Sequence, residues 1–207
     1  MHRRAVLAGL AATGLSACSA TSVWAPDDIV ARKTVRGGQP PAVRLFTMKT
    51  TDGDSGAHTG LLINASQRVI FDPAGTFGHP TIPERNDVLF GITKGVEEFY
   101  ISYHARITFY VVAQRLQISA EGAERILARA LQAGPVPQAL CARETSRVLQ
   151  AAPELEWLPP TFFPDTLSRA FARAPGVETE VFRETDPDNK DVATAQYDMQ
   201  LRTAQSQ

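Results

Sequence analysis

Residues 56–74 read GAHTGLLINASQRVIFDPA, and this stretch decides the fold. His58 to Ile63 and Arg68 to Asp72 are short apolar runs around the polar segment Asn64-Ala65-Ser66-Gln67, the pattern of a β-hairpin. His58 opens one strand and Asp72 closes the other. A three-residue loop at Asn64-Ala65-Ser66 sets positions 58 and 72 opposite each other on one face. A four-residue loop sends them to opposite faces, so the register stays open at this point.

Outward from the hairpin, the pattern is α+β. Residues 42–49 (AVRLFTMK) alternate as a strand, and 107–116 (ITFYVVAQRL) form a β-branched and aromatic run. The prolines at 73, 80 and 83 point to a long irregular connection over 73–92. Val96, Phe99, Tyr100 and Tyr103 recur at helical spacing. Ser119 is a good N-cap for a helix carrying Ala123, Ile126, Leu127, Ala130 and Leu131, which Gly134-Pro135 stops. Further helices are expected from Cys141 to Gln150 and from near Asp165, the latter carrying Leu167, Ala170, Phe171 and Ala174.

At the N-terminus, Arg3 and Arg4 precede an apolar run from Ala5 to Leu15 that is too short to span a bilayer. Leu15-Ser16-Ala17-Cys18 then resembles a bacterial lipobox. Residues 1–17 are thus expected to be a lipoprotein signal peptide, with Cys18 the lipidated residue. The alternative is an ordinary secretory signal cut at a nearby alanine. Arg3-Arg4 also fits a twin-arginine signal, so the export route stays open. Three acyl chains on Cys18 would hold the protein at a membrane without a spanning segment. The expected location is the bacterial cell envelope facing the periplasm, and Ser19 in place of aspartate favours the outer membrane. Residues 18–41 read as a tether, 42–175 as the folded domain and 176–207 as an extension, disordered at its end.

The formal net charge of −1 over 207 residues offers no cationic footprint for nucleic acid. Two cysteines exclude a disulfide scaffold and a multi-cysteine zinc module. With Cys18 lipidated, Cys141 is left without a disulfide partner, and it falls at the start of a helix. There the free N–H groups and the helix dipole favour a thiolate and can stabilise an oxyanion. The plain alternative is a small core residue on the stripe of Thr145, Val148 and Leu149. A nucleophilic thiol needs a base, and among His58, His79 and His104 the strand residue His58 is best placed, with Asp72 to orient its ring. Catalysis requires the Cys141 sulfur within about 4 Å of a His58 ring nitrogen in a surface cleft. Separation well beyond that, or burial of Cys141 among Val148 and Leu149, would sink the catalytic reading. No phosphate-binding loop or HExxH array is present, so no cofactor is expected. A zinc grouping of His58, His79 and Asp72 has no standard spacing.

Taken in order, these segments resemble the circularly permuted branch of the NlpC-type papain-like superfamily. That branch includes lecithin–retinol acyltransferase-like proteins and bacterial proteins similar to YiiX and YebB. Gly56-Ala57-His58-Thr59-Gly60-Leu61-Leu62 matches its histidine strand, and Val69-Ile70-Phe71-Asp72-Pro73-Ala74 the strand of its third polar residue. Gln114-Arg115-Leu116, Leu140-Cys141-Ala142 and Phe163-Pro164-Asp165-Thr166-Leu167-Ser168 follow in the expected sequence. The chain departs in carrying Asp at 72, Pro135-Val136 without a tyrosine, and Ala at 142. The resemblance implies a permuted papain-like fold, an antiparallel sheet packed against helices. It also implies a Cys141–His58–Asp72 hydrolase or acyltransferase acting on cell-wall peptides or on lipid or lipoprotein acyl groups. The other expectation is a non-catalytic lipoprotein that uses the same fold as a binding or scaffold module.

Overall fold

The computed structural model describes residues 21–36 and 38–206; the signal segment and Cys18 lie outside the described residues. The fold is α+β. Its centre is one antiparallel sheet of seven strands in the order β4-β5-β3-β2-β1-β6-β7. The strands are β1 (Ala42–Thr50), β2 (Gly56–Asn64), β3 (Arg68–Phe71), β4 (Glu84–Arg85), β5 (Val88–Leu89), β6 (Phe109–Gln117) and β7 (Glu178–Phe182). The helices are α1 (Asp27–Lys33), α2 (Lys94–His104), α3 (Ala120–Leu131), α4 (Cys141–Leu149), α5 (Pro164–Phe171) and α6 (Lys190–Gln205).

Strand alternation divides the core into two layers. Val43, Leu45, Leu61, Ile63, Val69 and Phe71 pack with side chains of α1, α3, α4 and α5. Phe46, Met48, Leu62 and Ile70 pack on the other side with α2 and α6. Ser119 caps α3 by accepting from the Gly122 N–H at 3.0 Å, and Thr93 caps α2 by accepting from the Val96 N–H at 3.2 Å. Glu97 of α2, nearly buried, pairs with Arg44 of β1 at 2.6 Å and with Arg68 of β3, which fixes the helix across three strands.

The hairpin loop is Ala65–Gln67, since Asn64 pairs with Arg68 and Leu61 with Phe71. This is one residue later than the three-residue loop considered above, and it keeps the same parity. Positions 58 and 72 therefore share a face as diagonal neighbours rather than direct opposites.

The folded unit is longer at both ends than the expected 42–175. In the segment read as a tether, α1 buries Val30 in the first core layer, and Val35 bridges to Arg68. In the extension expected to end in disorder, β7 pairs along β6, and α6 buries Ala193 and Tyr197. The Tyr197 ring stacks on Phe99 of α2 with centroids 4.4 Å apart. A sparse apolar content suffices because these few residues meet a ready aromatic surface. The connection at 73–92 also carries two short strands, β4 and β5. Among the described residues, no helix is long and apolar enough to cross a membrane.

Candidate active site

His58 lies near the start of β2, where pairing with β1 runs Met48 to His58 and then Lys49 to Gly56. Ala57 is skipped, and such a bulge re-aims the neighbouring side chain. His58 Nε2 donates to Asp72 Oδ1 at 2.8 Å. The same oxygen accepts the Tyr100 hydroxyl at 2.6 Å. Tyr100 is fully buried and comes from α2. Asp72 thus holds the imidazole through one nitrogen and leaves Nδ1 for a second partner.

Close packing leaves no spare volume around this carboxylate. A Cβ at Gly60 would overlap the Tyr100 hydroxyl, and a Cβ at Gly75 would overlap the Asp72 carboxylate itself. The turn that presents Asp72 closes with the Gly75 N–H on the Asp72 carbonyl at 2.9 Å, and Ala74 takes the left-handed φ of 57°. Asp87 braces the same region. Its backbone carbonyl accepts the Asp72 N–H at 2.8 Å, and its carboxylate accepts the Val136 N–H at 2.7 Å. The segment leading to Cys141 is therefore tied to the strand end that carries Asp72. Burial pushes the Asp87 carboxyl up to about 6.

Cys141 is the first residue of α4. No side chain caps this helix, so its leading N–H groups are not taken up by a capping side chain. Ala139, two residues earlier, holds a left-handed φ of 67° that turns the chain into the helix. Cys141 is only 6% exposed, yet it belongs to neither core layer, unlike Val148 and Leu149 further along α4. Burial opposes its thiolate, but the His58 ring and the backbone N–H groups of Thr59 and Ala142 outweigh that, and the thiol titrates below its usual value. For His58, burial opposes the charge, while Asp72 and Cys141 favour it and push it up to about 10. Burial likewise works against the Asp72 carboxylate, and His58 with its positive charge holds it below the usual range. A lowered thiol thus faces a raised imidazole that a carboxylate orients, and each favours the charged form of the other.

His58 and Asp72 are in direct contact, and Cys141 lies near enough to the His58 ring for each to shift the other's titration. Sequence reasoning did not place Tyr100 or Asp87 in the site, and it weighed His104 only as a less well placed base than His58. His104 donates from Nδ1 to the Tyr100 carbonyl at 2.8 Å, and its ring lies 6.1 Å from that of His58. Desolvation pushes it down to about 4, so it is neutral. His58, Asp72 and His104 each place one ligand atom within 4.8 Å of the others, a spacing that a divalent cation could bridge. Their present hydrogen bonds instead join His58 to Asp72 and His104 to the α2 backbone. His79, the third residue of the zinc grouping considered from sequence, lies elsewhere. It bonds Asp198 of α6 at 3.1 Å and Thr81 at 2.8 Å.

Beside His58 opens a cleft of about 340 Å³. Met48, Tyr103 and Phe109 supply apolar wall, while His104 and Lys190 face the same space. Compared with protein families, with curated proteins and with solved structures, the chain matches none.

Proposed function

We propose that this protein is a cysteine hydrolase or acyltransferase with a permuted papain-like fold, anchored in the bacterial cell envelope through a lipid on Cys18. The observation that carries the reading is His58, joined to buried Asp72 at 2.8 Å and interacting with a thiol whose pKa is lowered at an uncapped helix start. Such a thiolate attacks the carbonyl carbon of an amide or ester, forming a C–S bond and moving the carbonyl π electrons onto oxygen. The N–H groups at the start of α4 are suited to that oxyanion. Collapse breaks the C–N or C–O bond, and the leaving group takes the proton held by His58. Water, or an acceptor amine or hydroxyl, then attacks the thioester and gives its proton to His58. The C–S bond breaks and the thiolate returns.

The amides on offer in the envelope are peptidoglycan stem peptides, and the acyl groups are those of lipids and lipoproteins. Incubation with peptidoglycan fragments and with phospholipids, read by mass spectrometry, should give products with the native chain and none with Cys141→Ala. Equal product from both chains would overturn the assignment. For the anchor, Cys18→Ser should release the protein from membranes, and persistence in the membrane fraction would count against it.

The 6% exposure of Cys141 favours a second reading, a non-catalytic lipoprotein that uses the fold for binding. Alkylation separates the two. In an enzyme, iodoacetamide modifies Cys141 at pH 6 to 7 faster than a free thiol, and His58→Ala removes the excess. In a binding module, Cys141 reacts slowly in both chains.

A further inference from the structure

Lys190 is placed where stability alone does not call for it. It is the first residue of α6, and a cation at a helix N-terminus works against the helix dipole. It is exposed, and among the described residues it makes no ion pair. Its Nζ contacts only the Thr76 hydroxyl at 3.4 Å and the Tyr103 ring, 4.4 Å from the centroid. Other cations of this region are matched: Arg106 is 2% exposed and pairs with Asp186 at 3.2 Å. Asp188 lines the same cleft, where its Oδ1 accepts the Thr108 hydroxyl at 2.6 Å and the Thr108 N–H at 3.3 Å, and it forms no ion pair with Lys190. Lys190 therefore presents a positive charge held in no ion pair among the described residues to the space that also bares the His58 ring, across a wall of Met48, Tyr103 and Phe109. Desolvation lowers its pKa, and the Asp72 carboxylate works in the opposite direction.

We propose that Lys190 is a specificity residue that receives a carboxylate of the substrate, separated from the reacting carbonyl by a short apolar segment lying along Met48 and Phe109. The inference rests on the catalytic reading of Cys141 and His58 and names the substrate class of that site. It is an amide or ester whose acyl part carries a second, ionised carboxyl group. A neutral acyl chain would fill the apolar wall and offer the ammonium no partner, whereas an anionic chain adds a charge-assisted contact.

Matched esters test this. The 4-nitrophenyl monoesters of succinic, glutaric and adipic acid each pair with the ester of the neutral acid of equal length, butanoic, pentanoic and hexanoic. In the native chain kcat/KM should favour the anionic member by about tenfold at one or more lengths. Lys190→Met, which keeps the packing on Tyr103, should erase that preference by slowing the anionic ester and leaving the neutral one unchanged. Lys190→Arg should retain it. A ratio unaltered by Lys190→Met at all three lengths overturns the proposal while Cys141-dependent turnover leaves the catalytic reading intact. If Cys141→Ala hydrolyses these esters as fast as the native chain, the catalytic reading fails. Calorimetric titration with adipate then decides the anion site alone: binding weakened at least tenfold by Lys190→Met supports it, and equal binding overturns it.

Discussion

A single oxygen of Asp72 accepts both the His58 ring and the Tyr100 hydroxyl, so Tyr100 fixes the carboxylate that fixes the base. Tyr100→Phe removes one charge-assisted hydrogen bond and leaves a buried oxygen with one donor fewer. Stability should drop by roughly 2 kcal/mol in urea unfolding, and turnover by about tenfold as the imidazole loses its orientation. The thiol makes a second prediction at this scale. Because its pKa is lowered, iodoacetamide should keep modifying Cys141 as pH falls below about 8.5, the ordinary thiol value. His58→Ala should shift that midpoint upward. Linkage fixes the sign for His58 itself, raised to about 10 in the folded protein against about 6.5 unfolded. Its stabilising contribution is complete below about 6.5 and fades as pH rises towards 10, so the stability gap between native and His58→Gln should narrow over that window. Cys141, His58 and Asp72 were legible because each stands at the end of an element with a clear pattern. Tyr100 was not, since its spacing marks an apolar helix face and only the fold shows that its hydroxyl meets a carboxylate.

Elements carry the next constraints. At Gly75 any Cβ would displace the Asp72 carboxylate, so Gly75→Ala should abolish turnover while circular dichroism and the melting profile stay close to native. Inactivity accompanied by unfolding would refute this account of the glycine. Between α2 and the sheet, Glu97 neutralises both Arg44 and Arg68. Glu97→Gln leaves partly buried Arg68 without a carboxylate and Arg44 with only the exposed Glu180, and should cost about 2–3 kcal/mol in urea unfolding. The helix start at Ser119 could be read from sequence because capping is local chemistry. Hairpin register could not, since either loop length satisfied the alternation, and only the set of partners on β1 and β3 decided it.

At the scale of the whole molecule, the last helix closes both a core layer and the cleft. Deleting residues 185–207 uncovers Phe99 and removes buried Tyr197 and Lys190. The melting temperature should fall by about 10 °C, from roughly 3 kcal/mol of lost burial. This segment read as disorder because its apolar residues are few; their effect depends on a docking surface that lies far away in the chain. The order in which the chain is made gives the arrangement a further meaning. The strands and helix that hold His58, Asp72 and Tyr100 are all synthesised before Cys141, and Lys190 comes later still. The nucleophile thus arrives at a base whose supports already exist, and the group that sorts substrates arrives last. On the proposed reading, a chain that ends before residue 141 carries a base with nothing to activate, so truncation ahead of α4 leaves inert protein.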